Sequence, residues 1–288
     1  MPKAEIGSRA AARDRELSEL EAQRPELSAW LRPLRISLAS LEKEWSNLVP
    51  VCAQERRTDA PLLDGSVLPV DSAELRVHVR TVLHAALAGD HRSNIDRLDS
   101  IALLEYAIAG DTAAIDQMAG TAGLNALALN AAMQLAAVPI LIACARNIAT
   151  PAIKSWPHGY CHVCGAPPVL AEVLGLERSR QLRCGRCGSG WNSHVLLCPY
   201  CGERDHAKLG SLTPEGQLGQ ICWIETCHTC MSYVKARAAL RGFAAEHVLI
   251  EDARSLDLDL VAVERGYAKP VGGGLTARVR FAHTVSVS

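Results

Sequence analysis

Apolar residues recur at Leu27, Leu31, Leu34, Leu38, Leu41, Trp45 and Leu48. Steps of three and four put them on one stripe of a helix. Pro25 stands where a first turn begins, and Pro50 ends the stripe. A loop carrying Pro61 and Pro69 follows. Asp71 with Glu74 three residues later is a capping pattern, and Leu75, Val79, Val82, Leu83, Ala86 and Leu87 then run toward a stop at Gly89. Two further helices are predicted at Ile95–Ala109 and Thr112–Met118, divided by Gly110-Asp111, and another at Leu124–Ile148. Leu124–Ala145 is the one segment that resembles a membrane span. Its Asn125, Asn130, Gln134, Pro139 and many alanines predict instead a buried core helix broken near Pro139.

The helical texture stops at a linker, Ala149–Pro157, which holds Pro151, Trp156 and Pro157. Beyond it, Pro168–Leu174 and Arg180–Cys184 predict one hairpin. Ala207–Leu212 and Leu218–Ile224 predict a second around Thr213-Pro214-Glu215-Gly216. A strand is expected at Trp191–Leu197. Helix is expected again at Val234–Leu240 and at Ala253–Arg265, the latter capped by Asp252 and stopped by Gly266. The end, from Gly272-Gly273-Gly274 onward, reads as a frayed tail.

Four Cys-x-x-Cys pairs punctuate this second half: Cys161/Cys164, Cys184/Cys187, Cys198/Cys201 and Cys227/Cys230. Gly165, Gly188 and Gly202 follow three of them, as in a metal knuckle, where a tight turn aims two thiolates at one ion. Pairing the knuckles in order gives C-x2-C-x19-C-x2-C and C-x2-C-x25-C-x2-C. Both fit long-spacer tetrathiolate sites of the zinc-ribbon or rubredoxin-like type. Crossed pairing is opposed by the predicted strand between the second and third knuckles. Haem attachment would need histidine directly after a pair, and a thioredoxin-type redox pair would need a βαβ setting. A cubane cluster would also use four cysteines, but four evenly repeated knuckles favour mononuclear sites. Each module of about 40 residues is too small for a good apolar core, so a bound ion is expected to hold it together. His162 and His228, inside knuckles, read as exposed turn residues, and Cys222 as a strand residue. Cys52 and Cys144 read as small buried side chains, and His78 and His84 as structural or surface groups.

The predicted organisation is thus a multi-domain α+β chain. It has an N-terminal all-α domain (1–155), two four-cysteine modules (156–195 and 196–240), and a C-terminal helix with a flexible tail (241–288). Composition sharpens this picture. Of twelve aromatic residues, nine lie beyond position 150, which suits short strands and turns there. No apolar run opens the sequence, and eleven cysteines without an export signal point to the reducing cytoplasm and to thiolates rather than disulfides. The net charge is −1 with thiols neutral, and two divalent tetrathiolate sites would bring it to about −5. Eight Lys/Arg against six Asp/Glu between 156 and 240 leave no basic face for nucleic acid once the sites are counted. Closed four-cysteine sites, with no nucleophile–base pair or phosphate loop, argue against an enzyme.

The run Tyr160-Cys-His-Val-Cys-Gly-Ala-Pro-Pro-Val resembles the opening of the metal region in the formate dehydrogenase accessory protein (FdhE) family. So do Leu182-Arg-Cys-Gly-Arg-Cys with Trp191, Cys198-Pro-Tyr-Cys-Gly, and Thr226-Cys-His-Thr-Cys-Met-Ser-Tyr-Val-Lys. The segment from Glu251 to Leu260 with Gly266-Tyr267 is similar to that family's end. The resemblance implies a cytoplasmic protein with a helical domain and two rubredoxin-like iron modules. It would assist maturation of respiratory formate dehydrogenase by contacting the catalytic subunit. One departure is Gly190, where the family usually has an acidic residue before the tryptophan. The metal is expected to be iron or zinc, held by the eight cysteines; the alternative reading is a rubredoxin-like electron carrier or oxidoreductase component.

Overall fold

The computed structural model describes residues 3–42, 45–52, 59–87, 92–148, 156–270 and 274–283. The predicted stop at Gly89, most of the predicted linker and Gly272-Gly273 lie outside them. The chain forms two compact units: a helical one from 1–57, 62–149 and 276–288, and a sheet unit from 58–61 and 150–275.

The helical unit contains α1 (Lys3–Gln23), α2 (Ser28–Ser40), α3 (Ser72–Ala86), α4 (Arg92–Asp96), α5 (Ser100–Ala109), α6 (Thr112–Ala122) and α7 (Ala126–Asn147). Asp71 caps α3, its Oδ1 accepting from Ala73 N at 2.7 Å and Glu74 N at 3.1 Å, as the capping pattern predicts. The same device recurs at Asp99, Asp111 and Asn125. Leu41, Trp45 and Leu48 are buried as the stripe predicts, although α2 itself ends at Ser40. Helix α1 has no counterpart among the predicted elements: among its described side chains, Leu17 and Leu20 alone give it a deeply buried apolar edge. Ion pairs from Arg35 to Asp14 and Glu21 fasten it to α2.

Contrary to the expected break, α7 runs through Pro139. Proline at this position removes the N–H that would serve the carbonyl of Leu135. The hydroxyl of Ser37, fully buried on α2, donates to that carbonyl at 2.5 Å. The next carbonyl, Ala136, accepts from His78 Nε2 on α3 at 2.9 Å. Ser37 thus supplies the donor that α7 lacks, and His78 adds one to the next carbonyl. Among the described residues α7 alone is long and apolar enough to cross a membrane, but 72% of that window is buried inside the fold.

The helical unit also holds a parallel strand pair, β1 (Ser66–Val70) with a strand at Val279–His283. For residues 279–283 the expectation of a frayed tail therefore fails, and 284–288 lie outside the described residues. Ala277, Val279 and Phe281 alternate inward, and Glu105 Oε1 on α5 accepts from Phe281 N at 2.9 Å.

The sheet unit is organised around six strands: β2 (Pro168–Leu174), β3 (Ser179–Cys184), β4 (Gly190–Asn192), β5 (Leu209–Leu212), β6 (Cys222–Cys227) and β7 (Ser232–Ala239). Their order is β4-β3-β2-β7-β6-β5. Each predicted module contributes three antiparallel strands, and the halves are joined by a parallel pairing of β2 with β7, Leu170 opposite Lys235. The modules therefore share one sheet. Residues 234–239, expected as helix, belong to β7: their Ala/Lys/Arg composition favours helix locally, but strand neighbours on both sides override it. The expected strand Trp191–Leu197 shortens to β4. Residues 218–221 form the short helix α8 before β6. Helix is present beyond the sheet, but as α9 (His247–Arg254) and α10 (Leu256–Glu264), divided at Ser255. Asp252 consequently caps no helix. It lies within α9 and pairs with Lys235 Nζ at 2.7 Å. The strand at Val279–His283 is β8.

Candidate metal centres

In the first half of the sheet, the knuckle before β2 and the one after β3 bring Cys161, Cys164, Cys184 and Cys187 together. All four sulfurs lie within 4.8 Å of one another. Cys161 and Cys187 stand 3.5 Å apart, Cys164 and Cys184 3.4 Å, and Cys164 and Cys187 3.7 Å. A tetrahedral ion with metal–sulfur bonds of about 2.3 Å requires sulfurs about 3.8 Å apart, so the cage has the right size. Each knuckle closes by the same bonds: Gly165 N donates to Cys161 O at 2.8 Å, and Gly188 N to Cys184 O at 3.1 Å. Backbone N–H groups of Val163 and Arg186 also point at sulfur, each at 3.4 Å. Burial pushes the Cys161 and Cys187 thiols up. Burial also opposes ionisation of Cys184, yet hydrogen bonds with the other three sulfurs hold it well below the ordinary thiol range.

The second half repeats the arrangement with Cys198, Cys201, Cys227 and Cys230, again within 4.8 Å. Cys198 lies 3.7 Å from Cys230, and Cys201 3.7 Å from Cys227. Gly202 N donates to Cys198 O at 3.0 Å. The fourth knuckle has no glycine, and Met231 takes the left-handed turn there at φ 53. Glu203 ties the two knuckles, accepting from Thr229 Oγ1 at 2.7 Å and from Arg204 N and Asp205 N at 3.0 Å each. Those donors, Thr229 first, draw its carboxyl down to about 2. Against the pull of burial, bonds from Ser232 bring Cys230 down to about 7.

Buried ions brace the sheet between the clusters. Arg183 grips Glu172 at 2.7 and 2.8 Å while donating to the carbonyls of Gly188, at the end of the second knuckle, and Phe243. Arg180 on β3 reaches Glu225 on β6 at 2.7 Å, linking the two halves. Lys235, fully buried on β7, meets Asp252 and Asp259 at 2.7 and 2.6 Å. Each is matched by opposite charge and hydrogen bonds, which offset the cost of taking it out of water.

The structure brings all eight knuckle cysteines into two groups, in chain order. His162 and His228 belong to neither. His228 is exposed as expected, whereas His162 is half-buried, its ring 6.2 Å from Trp156 and 6.5 Å from Trp191. Cys222 opens β6, and Cys144 is buried in α7. The side chain of Gln181 stands 2.7 Å from where a Cβ on Gly190 would be, so an acidic residue there would have to displace it. Sequence reasoning missed the sheet's buried ions, because a lone lysine or arginine in a strand carries no mark of its partner.

A helical unit followed by a sheet unit that holds two tetrathiolate clusters defines an α+β protein with paired metal-site candidates. The FdhE protein from Pseudomonas aeruginosa, known from its crystal structure, has a similar fold. The match spans 93% of this chain and 95% of that one, with a TM-score of 0.56 and 20% sequence identity. At that identity the likeness is one of fold. No protein-family model and no curated protein matches the sequence.

Proposed function

We propose that this chain is a cytoplasmic accessory protein for formate dehydrogenase maturation, which binds the catalytic subunit and carries a metal ion in each four-cysteine cluster. The observation that carries this reading is the coincidence of an FdhE-like fold along nearly the whole chain with two cages of tetrahedral size. Four thiolates suit zinc or iron. With all four positions taken by protein, neither cluster offers an open site for substrate, which fits a helper rather than an enzyme. The test is metal analysis of protein purified without oxygen, combined with co-purification against the formate dehydrogenase catalytic subunit. Two ions per chain and a retained subunit are expected; loss of the subunit interaction refutes the accessory role.

A second reading, a rubredoxin-like electron carrier, is favoured by the exposure of Cys201 in the second cluster, which would bring an iron centre close to a redox partner. Reversible iron reduction without subunit binding would favour it.

A further inference from the structure

Built from the same Cys-x-x-Cys knuckles, the two clusters are enclosed differently. All four cysteines of the first are fully buried. Both of its knuckles lie beneath other chain segments. A Cβ on Gly165 would fall 1.5 Å from Leu275 O and 2.8 Å from Pro61, and one on Gly188 would fall 2.3 Å from Ala245 O. In the second cluster Cys201 is exposed and Cys230 half-buried. A Cβ on Gly202 would meet nothing within 4 Å, and Met231, its counterpart in the fourth knuckle, is 43% exposed. The other two cysteines, Cys198 and Cys227, are buried but line a cavity of about 300 Å³ with Val195, Leu196, Tyr200 and Trp223.

We infer that the clusters differ in kind: the first is a closed structural site, and the second exchanges its ligands and its metal with thiols or chelators from solution, beginning at Cys201. This rests on the reading that both clusters hold metal. Access governs such exchange, because an incoming donor must approach the ion before a protein thiolate leaves. At the second cluster the incoming thiol bonds to the ion as the Cys201 bond breaks. Its proton passes to Cys201 Sγ, and no oxidation state changes. At the first cluster the segments at 61, 245 and 275 block that approach.

The experiment uses the full chain loaded with zinc and challenged with the chromogenic chelator 4-(2-pyridylazo)resorcinol. Samples are quenched with N-ethylmaleimide and mapped by peptide mass spectrometry. One zinc equivalent should leave in a distinct, faster phase than the other, with alkylation appearing first at Cys201 and Cys230. In Cys201→Ser the fast equivalent should be missing and the slow one retained. Release of both equivalents at one rate, or first alkylation within 161, 164, 184 and 187, overturns the inference while leaving metal binding intact. A chain that takes up fewer than two zinc ions overturns the metal reading and the inference with it.

Discussion

Ser37 stands in for the hydrogen bond that Pro139 denies to α7, and a double-mutant cycle measures the substitution. Ser37→Ala leaves the carbonyl of Leu135 without the donor now at 2.5 Å, in a fully buried setting. An orphaned buried acceptor costs about 1–3 kcal/mol. Pro139→Ala restores a main-chain N–H at the right place, so in that background Ser37→Ala should cost about 1 kcal/mol or less. The expected coupling is about 1–2 kcal/mol, well above the scatter of about 0.3–0.5 kcal/mol between independent sites. Urea unfolding followed by far-ultraviolet circular dichroism reads it, since the helical unit dominates that signal. An equal penalty in both backgrounds would sink the argument, because Ser37 would then not be replacing the missing donor.

The remaining predictions are more local. Met231 holds φ 53 in a knuckle whose three counterparts use glycine, so Met231→Gly should stabilise the sheet unit by up to about 1 kcal/mol and Met231→Val should destabilise it by about as much; denaturant midpoints decide. Cys184→Ser should lose one metal equivalent and Cys227→Ser the other, so two full equivalents in either variant by elemental analysis would contradict the chain-order assignment. Burial lowers the His78 pKa despite its bond to Ala136 O. The unfolded chain therefore binds the proton more readily, and stability should fall as pH drops below the usual histidine value of about 6.5. His78→Gln should flatten that slope in pH-dependent unfolding, and an unchanged slope would remove His78 as its source.

Much of the fold was legible because it is written locally. The Asp71 cap and the Leu27–Leu48 stripe need only neighbours within a few residues, and the knuckles announce themselves by spacing. What stayed hidden depends on partners far away. Strand β8 carries a period-two signal at Ala277, Val279 and Phe281, yet its partner β1 lies some two hundred residues earlier. The β7 segment has the composition of a helix and becomes a strand only because β2 and β6 flank it. Asp252 mimics a helix cap until Lys235 is placed opposite it. In the candidate site, the grouping of cysteines follows from spacing, but the difference in their exposure does not.

That difference follows from how the halves are joined. A module of about 40 residues cannot bury much apolar surface alone, and pairing β2 with β7 lets two such modules share a sheet, with an Arg180–Glu225 ion pair bridging the halves. The join is asymmetric. The first strand of one half meets the third strand of the other, so the halves occupy different surroundings within the unit. The chain folds back over the first cluster through Pro61, Ala245 and Leu275, whereas α10 packs against β6 and β7, where Leu258 and Ala262 meet Ile224 and Tyr233. Chain that covers the sheet there leaves the knuckle turn at Gly202 bare, while at the fourth knuckle Ala268 N donates to Met231 O at 2.9 Å and the residue stays 43% exposed. Two copies of one motif can thereby serve two purposes, one holding the fold and the other meeting solvent.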